Sequence, residues 1–263
     1  LPVNKQCTHY SESFLWKDSK GRIFCICKTE GLLLYDAVKN NFTAQNISLQ
    51  LPGNFEPVCV YEDSLKGHYW FGGKDGIAVY DEKSNRLYTK ENNPLHLPLL
   101  KDTINNVSSI FIDGNRYYWV IYGSGQQKYL CYNEKDNNYL DQTSNIISAY
   151  KGHFRSEQFF YTPDAGLWLY GRNALFNYMY ETGTFLNNKP GVTTPIGTRF
   201  NNVRRIFQDR EKGVWIATDQ GIYEYYPSIP PVRSIILKAE NDDNSIADVE
   251  EVGEGQLWIS RRG

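Results

Sequence analysis

An all-β fold is what this sequence predicts, and three observations carry the prediction. Aromatic anchors recur with a period of about 47 residues, strand-length apolar runs alternate with tight polar turns, and no segment of ten or more residues shows convincing helical periodicity. The anchors are Phe24, Trp70, Trp119, Trp168, Trp215 and Trp258, spaced 46, 49, 49, 47 and 43 residues apart.

Within each period the elements follow in a fixed order. First comes an apolar run closed by aspartate and glycine: FLWKDSKG, VCVYEDSLKG, SIFIDG, FFYTPDAG and IFQDREKG. Asp18, Asp63, Asp113, Asp164 and Asp209 stand in register there, but equivalent positions in successive repeats belong to separate turns. They read as turn formers rather than an acid–base cluster: Asp caps its own turn and Gly supplies the positive φ. A second strand runs through the anchor. After a short polar turn, Gly31, Gly76, Gly125 or Gly221 (Ala174 in one repeat) opens a third strand, which ends in Tyr35, Tyr80, Tyr178 or Tyr225. The third repeat departs with a longer hairpin and the strand Tyr129-Leu130-Cys131-Tyr132. A fourth strand follows a polar turn at 41–44, 86–89, 184–186 and 232–236.

Four antiparallel strands in about 47 residues make a β-propeller blade. The approximate blades are 10–50, 56–94, 104–142, 157–188, 200–240 and a truncated 245–263, so about six share one domain spanning residues 1–263. Stacked blades bury their faces against each other, and one large aromatic per blade fills the wedge. The anchors therefore read as core residues before sugar-stacking platforms.

Composition removes several function classes. With 28 Lys plus Arg against 30 Asp plus Glu, the chain lacks the cationic excess of a nucleic-acid binder. Its 41% hydrophobic residues argue against disorder, and no stretch approaches the roughly 20 apolar residues of a membrane span. No direct membrane contact is expected. Five cysteines without a CxxC pair suggest no disulfide framework. A zinc site from Cys7, His9, Cys25 and Cys27 is disfavoured, because closed sites use tighter ligand pairs; small buried hydrophobes are the preferred reading. The histidines show no HExxH spacing, and neither a GxSxG elbow nor a Gly-rich loop into a helix occurs. No catalytic residue, metal or cofactor is expected. Were the chain an enzyme, His153 near Arg155 and Glu157 would be the first suspect.

Binding is expected at one end of the blades. In a propeller the turn between second and third strands and the connection to the next blade share a face, where rigid strands position variable loops. The turns hold Lys74 and Asp75, Arg172 and Asn173, Asp219 and Gln220, and Arg261. The connections bring His96, His153 and Arg155. Cationic side chains there suit sulfate or uronate groups, and exposed tyrosines suit pyranose rings. Twenty tyrosines also suit a protein-binding scaffold.

The segment IFQD, then GVWIATDQGIYEY, resembles the two-component regulator propeller repeat. The resemblance is near ideal at 203–226, good at 58–81, recognisable at 14–36 and 249–263, and degenerate at 107–132 and 159–178. It implies a seven-bladed propeller in the periplasmic sensor region of a Bacteroides-like hybrid two-component histidine kinase/response regulator. This chain is then expected to be a piece of a larger sensor, since 263 residues hold fewer than seven periods. The resemblance further implies an oligosaccharide ligand, control of polysaccharide-utilisation genes, a homodimer partner and no enzyme activity in this chain. A propeller lyase acting on cyclic peptide antibiotics is a similar architecture and marks the enzyme alternative.

Overall fold

The computed structural model describes residues 13–27, 31–43, 51, 55–149, 153–187, 200–226, 229–235, 246–253 and 256–261. Cys7, His9 and most of the 187–199 connection lie outside them, as do the side chains of Trp258 and Arg261. Among the described residues the chain is all-β with one short helix, and it forms two compact units: Leu1–Ile112 with Arg116–Asp141, and Asp113–Asn115 with Gln142–Gly263.

The first unit contains three four-stranded antiparallel blades. They are β1 Ser13–Lys17, β2 Ile23–Cys27, β3 Gly31–Asp36 and β4 Asn41–Thr43; β5 Pro57–Asp63, β6 His68–Gly73, β7 Gly76–Asp81 and β8 Arg86–Tyr88; and β9 Ser109–Ile112, β10 Tyr117–Tyr122, β11 Lys128–Asn133 and β12 Asn138–Asp141. The second unit begins with α1 Thr143–Ala149. It then holds β13 Arg155–Thr162, β14 Gly166–Arg172, β15 Ala174–Met179 and β16 Thr184–Asn187, followed by β17 Val203–Gln208, β18 Val214–Thr218, β19 Gly221–Tyr226 and β20 Ile229–Ile235. The hairpin β21 Ile246–Gly253 and β22 Gln256–Arg261 completes it.

Among the described residues the blade count is corrected from about six to five, and those from 246 onward form a two-stranded sheet.

Strand periodicity explains the packing. Successive side chains point to opposite faces, and in β6 Tyr69 and Phe71 join Phe24, Ile26 and Leu32 of the first blade while Trp70 joins Ile110, Tyr118 and Val120 of the third. Both faces of the middle strands are buried, which is why HYWFGG lacks polar alternation. Trp70 meets Tyr118 edge-on at 5.3 Å between centroids. In the second unit Trp168 meets Tyr225 at 5.8 Å in the same manner. Phe24, Trp70, Trp119 and Trp168 are buried core residues and Trp215 is half-buried.

The aspartate turns act as expected, with one change. Asp18 accepts N–H bonds from Lys20 and Arg22 inside its own turn, and Asp209 accepts them from Gly213 and from the Trp215 indole. Gly21, Gly67 and Gly166 take positive φ, but in two repeats Arg116 (φ 64) and Lys212 (φ 69) do so instead. There the glycine is needed for close approach: a Cβ on Gly213 would lie 2.8 Å from the Asp209 carboxylate. The last hairpin of three blades carries a second device. Tyr35, Tyr80 and Tyr132 donate their hydroxyls to Asn40, Asn85 and Asn137, each asparagine at positive φ in the turn to the fourth strand.

Candidate functional site

The two ends of the blades have different chemistry. At the aspartate-turn end, carboxylates are consumed in joining neighbouring blades. Arg116 forks both terminal nitrogens onto the buried Asp63 carboxylate at 2.9 and 2.7 Å, and its Nε donates to Glu134 at 2.8 Å. Tyr118 and Lys66 complete this cluster through Glu134. Between the first and second blades, Arg22 likewise meets Asp18 at 2.6 Å, the Tyr69 hydroxyl at 2.7 Å and Glu82 at 3.0 Å, with Lys20 on Glu82. Burial opposes charge on Glu82 and Glu134, but the hydrogen bonds from Lys20 and Arg22, and from Arg116 and Lys66, prevail and hold both carboxyls below the ordinary glutamate range. In the second unit Tyr180 donates to Asp113 at 2.5 Å and Lys212 meets Asp164 at 3.0 Å. These acids are structural.

The opposite end holds the sequence candidates. In the first unit Lys74 and Asp75 form the exposed turn between β6 and β7. The Lys74 carbonyl accepts the Asn106 N–H at 2.9 Å, the Gly73 carbonyl accepts that of Val107, and Gly123 of the next blade donates to Asn105 at 3.0 Å. Gly76 must be glycine, because its φ is 111° and a Cβ would sit 2.7 Å from the Ile104 carbonyl oxygen. His96 is exposed in the β8–β9 connection at positive φ, and no hydrogen bond among the described residues joins it to Lys74 or Asp75.

The second unit gathers six candidates. Asn173, in the turn after β14, donates its amide to the His153 carbonyl at 3.1 Å and its N–H to the Asn201 carbonyl at 2.5 Å. Arg172 bridges Asn202, and Arg155 lies directly opposite Arg172. Asp219 accepts the Asn201 and Asn202 N–H groups at 2.9 and 3.1 Å and the Asn202 side-chain amide at 3.3 Å, while the Gln220 N–H is held by Thr218. His153, Arg155, Arg172, Asn173, Asp219 and Gln220 therefore share one hydrogen-bonded loop cluster. Arg261 ends β22 opposite Ile246, and its side chain lies outside the described residues.

The organising residues, Asn105-Asn106 and Asn201-Asn202, were not among the sequence candidates. Their signal was available: NNVSSIF at 105–111 and NNVRRIF at 201–207 are the same motif at the entry to a first strand. A β-bulge follows at Val203/Arg205, and bulges recur in β5 and β13 at Pro57/Cys59 and Ser156/Gln158. Such bulges re-aim side chains beside the loops.

Among the described residues no group of three His, Cys, Asp or Glu side chains is placed to hold a metal. Cys131 and Cys59 form no disulfide, and burial pushes the Cys59 thiol up to about 12. No helix there is long and apolar enough to cross a membrane.

Comparison with known proteins agrees with this architecture. The two component regulator propeller family model matches residues 197–220. The extracellular domain of BT3049 of B. thetaiotaomicron, described as a hybrid two component system, superposes with TM-score 0.60 at 18% identity, covering 94% of this chain and 32% of its own. The corresponding domain of BT4673 gives 0.53 at 16%, covering 95% and 37%. PorZ of Porphyromonas gingivalis, a surface component of the type-IX secretion system, gives 0.61 at 18%, covering 90% and 36%. The chain thus spans about a third of each, and at these identities the likeness establishes the propeller fold. No curated protein matches in sequence.

Proposed function

We propose that this chain is part of the extracytoplasmic, ligand-sensing propeller of a hybrid two-component histidine kinase/response regulator. The observation that carries the reading is the regulator propeller repeat at 197–220, set in blades that resemble the extracellular domains of two hybrid systems. The ligand is an oligosaccharide, met by the loop cluster of the second unit. Backbone hydrogen bonds fix those loops while Arg155, Arg172, His153 and Gln220 keep exposed side chains for contact.

Binding acts by population shift: a ligand with higher affinity for one arrangement of the receptor dimer favours that arrangement. The remainder of the receptor carries the kinase and regulates polysaccharide-utilisation genes from a periplasmic signal. The chain itself performs no chemistry.

A thermal-shift screen of the complete extracytoplasmic region against plant, host and microbial oligosaccharides tests this. A ligand that binds only the folded state raises stability as RT ln(1 + [L]/Kd), so a millimolar ligand is readable. A saccharide-dependent rise is expected. Silence across the panel from a folded protein would instead favour a protein-binding scaffold.

A further inference from the structure

At the loop end of the second unit two arginines face each other. Arg155 opens β13, Arg172 closes β14, and the two are direct cross-strand partners. Side chains so placed have Cβ atoms about 4.5–5.5 Å apart, and like charges there repel. Both residues are exposed, and neither forms an ion pair among the described residues.

Among the described residues no carboxylate pairs with either of them. Asp219 accepts three hydrogen bonds from Asn201 and Asn202. Between Asp164 and Asp209 the only acid in the sequence is Glu181, which lies beyond the far end of β15. Glu157 stands at the β13 bulge and pairs with neither arginine. Arg204, two residues past the Asn202 that bridges Arg172, adds a buried Nε with no hydrogen-bond partner among the described residues. A buried donor left unpaired requires an explanation.

We propose that Arg155 and Arg172 form an anion clamp that receives the carboxylate or sulfate group of an acidic saccharide. The proposal rests on the reading that this loop cluster meets the ligand, and it specifies the ligand's charge. Guanidinium forks match the paired oxygens of such groups, and a bound anion turns the repulsion between the arginines into attraction to a shared partner. A neutral sugar gains nothing from this.

The test uses the complete extracytoplasmic region, with glucuronate, galactose 6-sulfate and galactose as probes in thermal-shift and calorimetric titrations. Glucuronate and the sulfated sugar are expected to bind at millimolar concentration and galactose not to; Arg155→Gln and Arg172→Gln should each weaken anionic binding at least tenfold. Wild-type binding should weaken with added salt and that of the variants should not. Without ligand, at low salt, each variant should melt at or above the wild-type temperature because one like charge is gone. That readout is independent of any sugar. Equal binding of charged and neutral probes, no binding of either anionic probe, or unchanged anionic binding in both variants would overturn the clamp. Neutral oligosaccharides that bind wild type and variants alike would retire the clamp and leave the sensor reading standing; no binding by any saccharide retires both.

Discussion

Gly171 marks where two strands run too close for a side chain. A Cβ there would overlap the Arg155 carbonyl oxygen and lie 2.8 Å from the Glu157 amide nitrogen, at the bulge near the start of β13. Backbone cannot yield as a flexible side chain can, so Gly171→Ala should cost on the order of 2 kcal/mol by urea denaturation. Gly125 faces open space but has a φ of 87°, so its substitution is penalised by conformation alone. The tyrosine–asparagine locks make a second residue-level case. Tyr80→Phe removes one hydrogen bond and should cost about 1 kcal/mol. Asn85→Ala should cost more, because alanine at φ 53° adds about 1–2 kcal/mol of strain to the same lost bond. The five-residue spacing from Tyr35 to Asn40, Tyr80 to Asn85 and Tyr132 to Asn137 was present in the sequence. Asparagine is so common in turns that spacing alone does not reveal the bond.

At the scale of elements, the carboxylate clusters decide how one blade holds the next. Removing Arg116 leaves Asp63 buried without its cation, which costs on the order of 3 kcal/mol. Arg116→Ala should therefore lower Tm by several degrees more than Lys74→Ala at the opposite end. Acid should weaken the same joints. The carboxyls of Glu82 and Glu134 hold protons less readily when folded than when unfolded. Their contribution is present above the ordinary glutamate value of about 4.3 and is lost as pH falls through the lower folded values. Thermal melts between pH 6 and pH 3, a range chosen to bracket that value, should show this loss, and the Glu82→Gln/Glu134→Gln double variant should have a flatter acid limb.

The strand order, the aromatic anchors and the aspartate turns were readable from the sequence because they repeat every period. The arginine–aspartate pair in those clusters was not, because its arginine changes place: Arg22 belongs to the same turn as its aspartate, whereas Arg116 comes from the following blade. No fixed spacing marks a pair built in two ways. The candidate loop cluster was half readable. Turn position alone selected Arg172, Asn173, Asp219 and Gln220, while the Asn201-Asn202 doublet that ties them together was passed over as loop.

Across the whole molecule, the near-zero net charge conceals a division of labour. Acids at the aspartate turns are spent on joining blades, and the loop cluster of the second unit keeps cations exposed. A balanced total therefore says little about what a local face attracts. The most direct test of the loop cluster as the sensing surface is amide hydrogen exchange by mass spectrometry, with the complete extracytoplasmic region free and saturated with the best-binding saccharide of the screen. Slowed exchange confined to the turns at Arg172–Asn173 and Asp219–Gln220 and the strand entry at Asn201–Asn202 is the expected result. Protection at the aspartate-turn end, with those three segments unchanged, would contradict it.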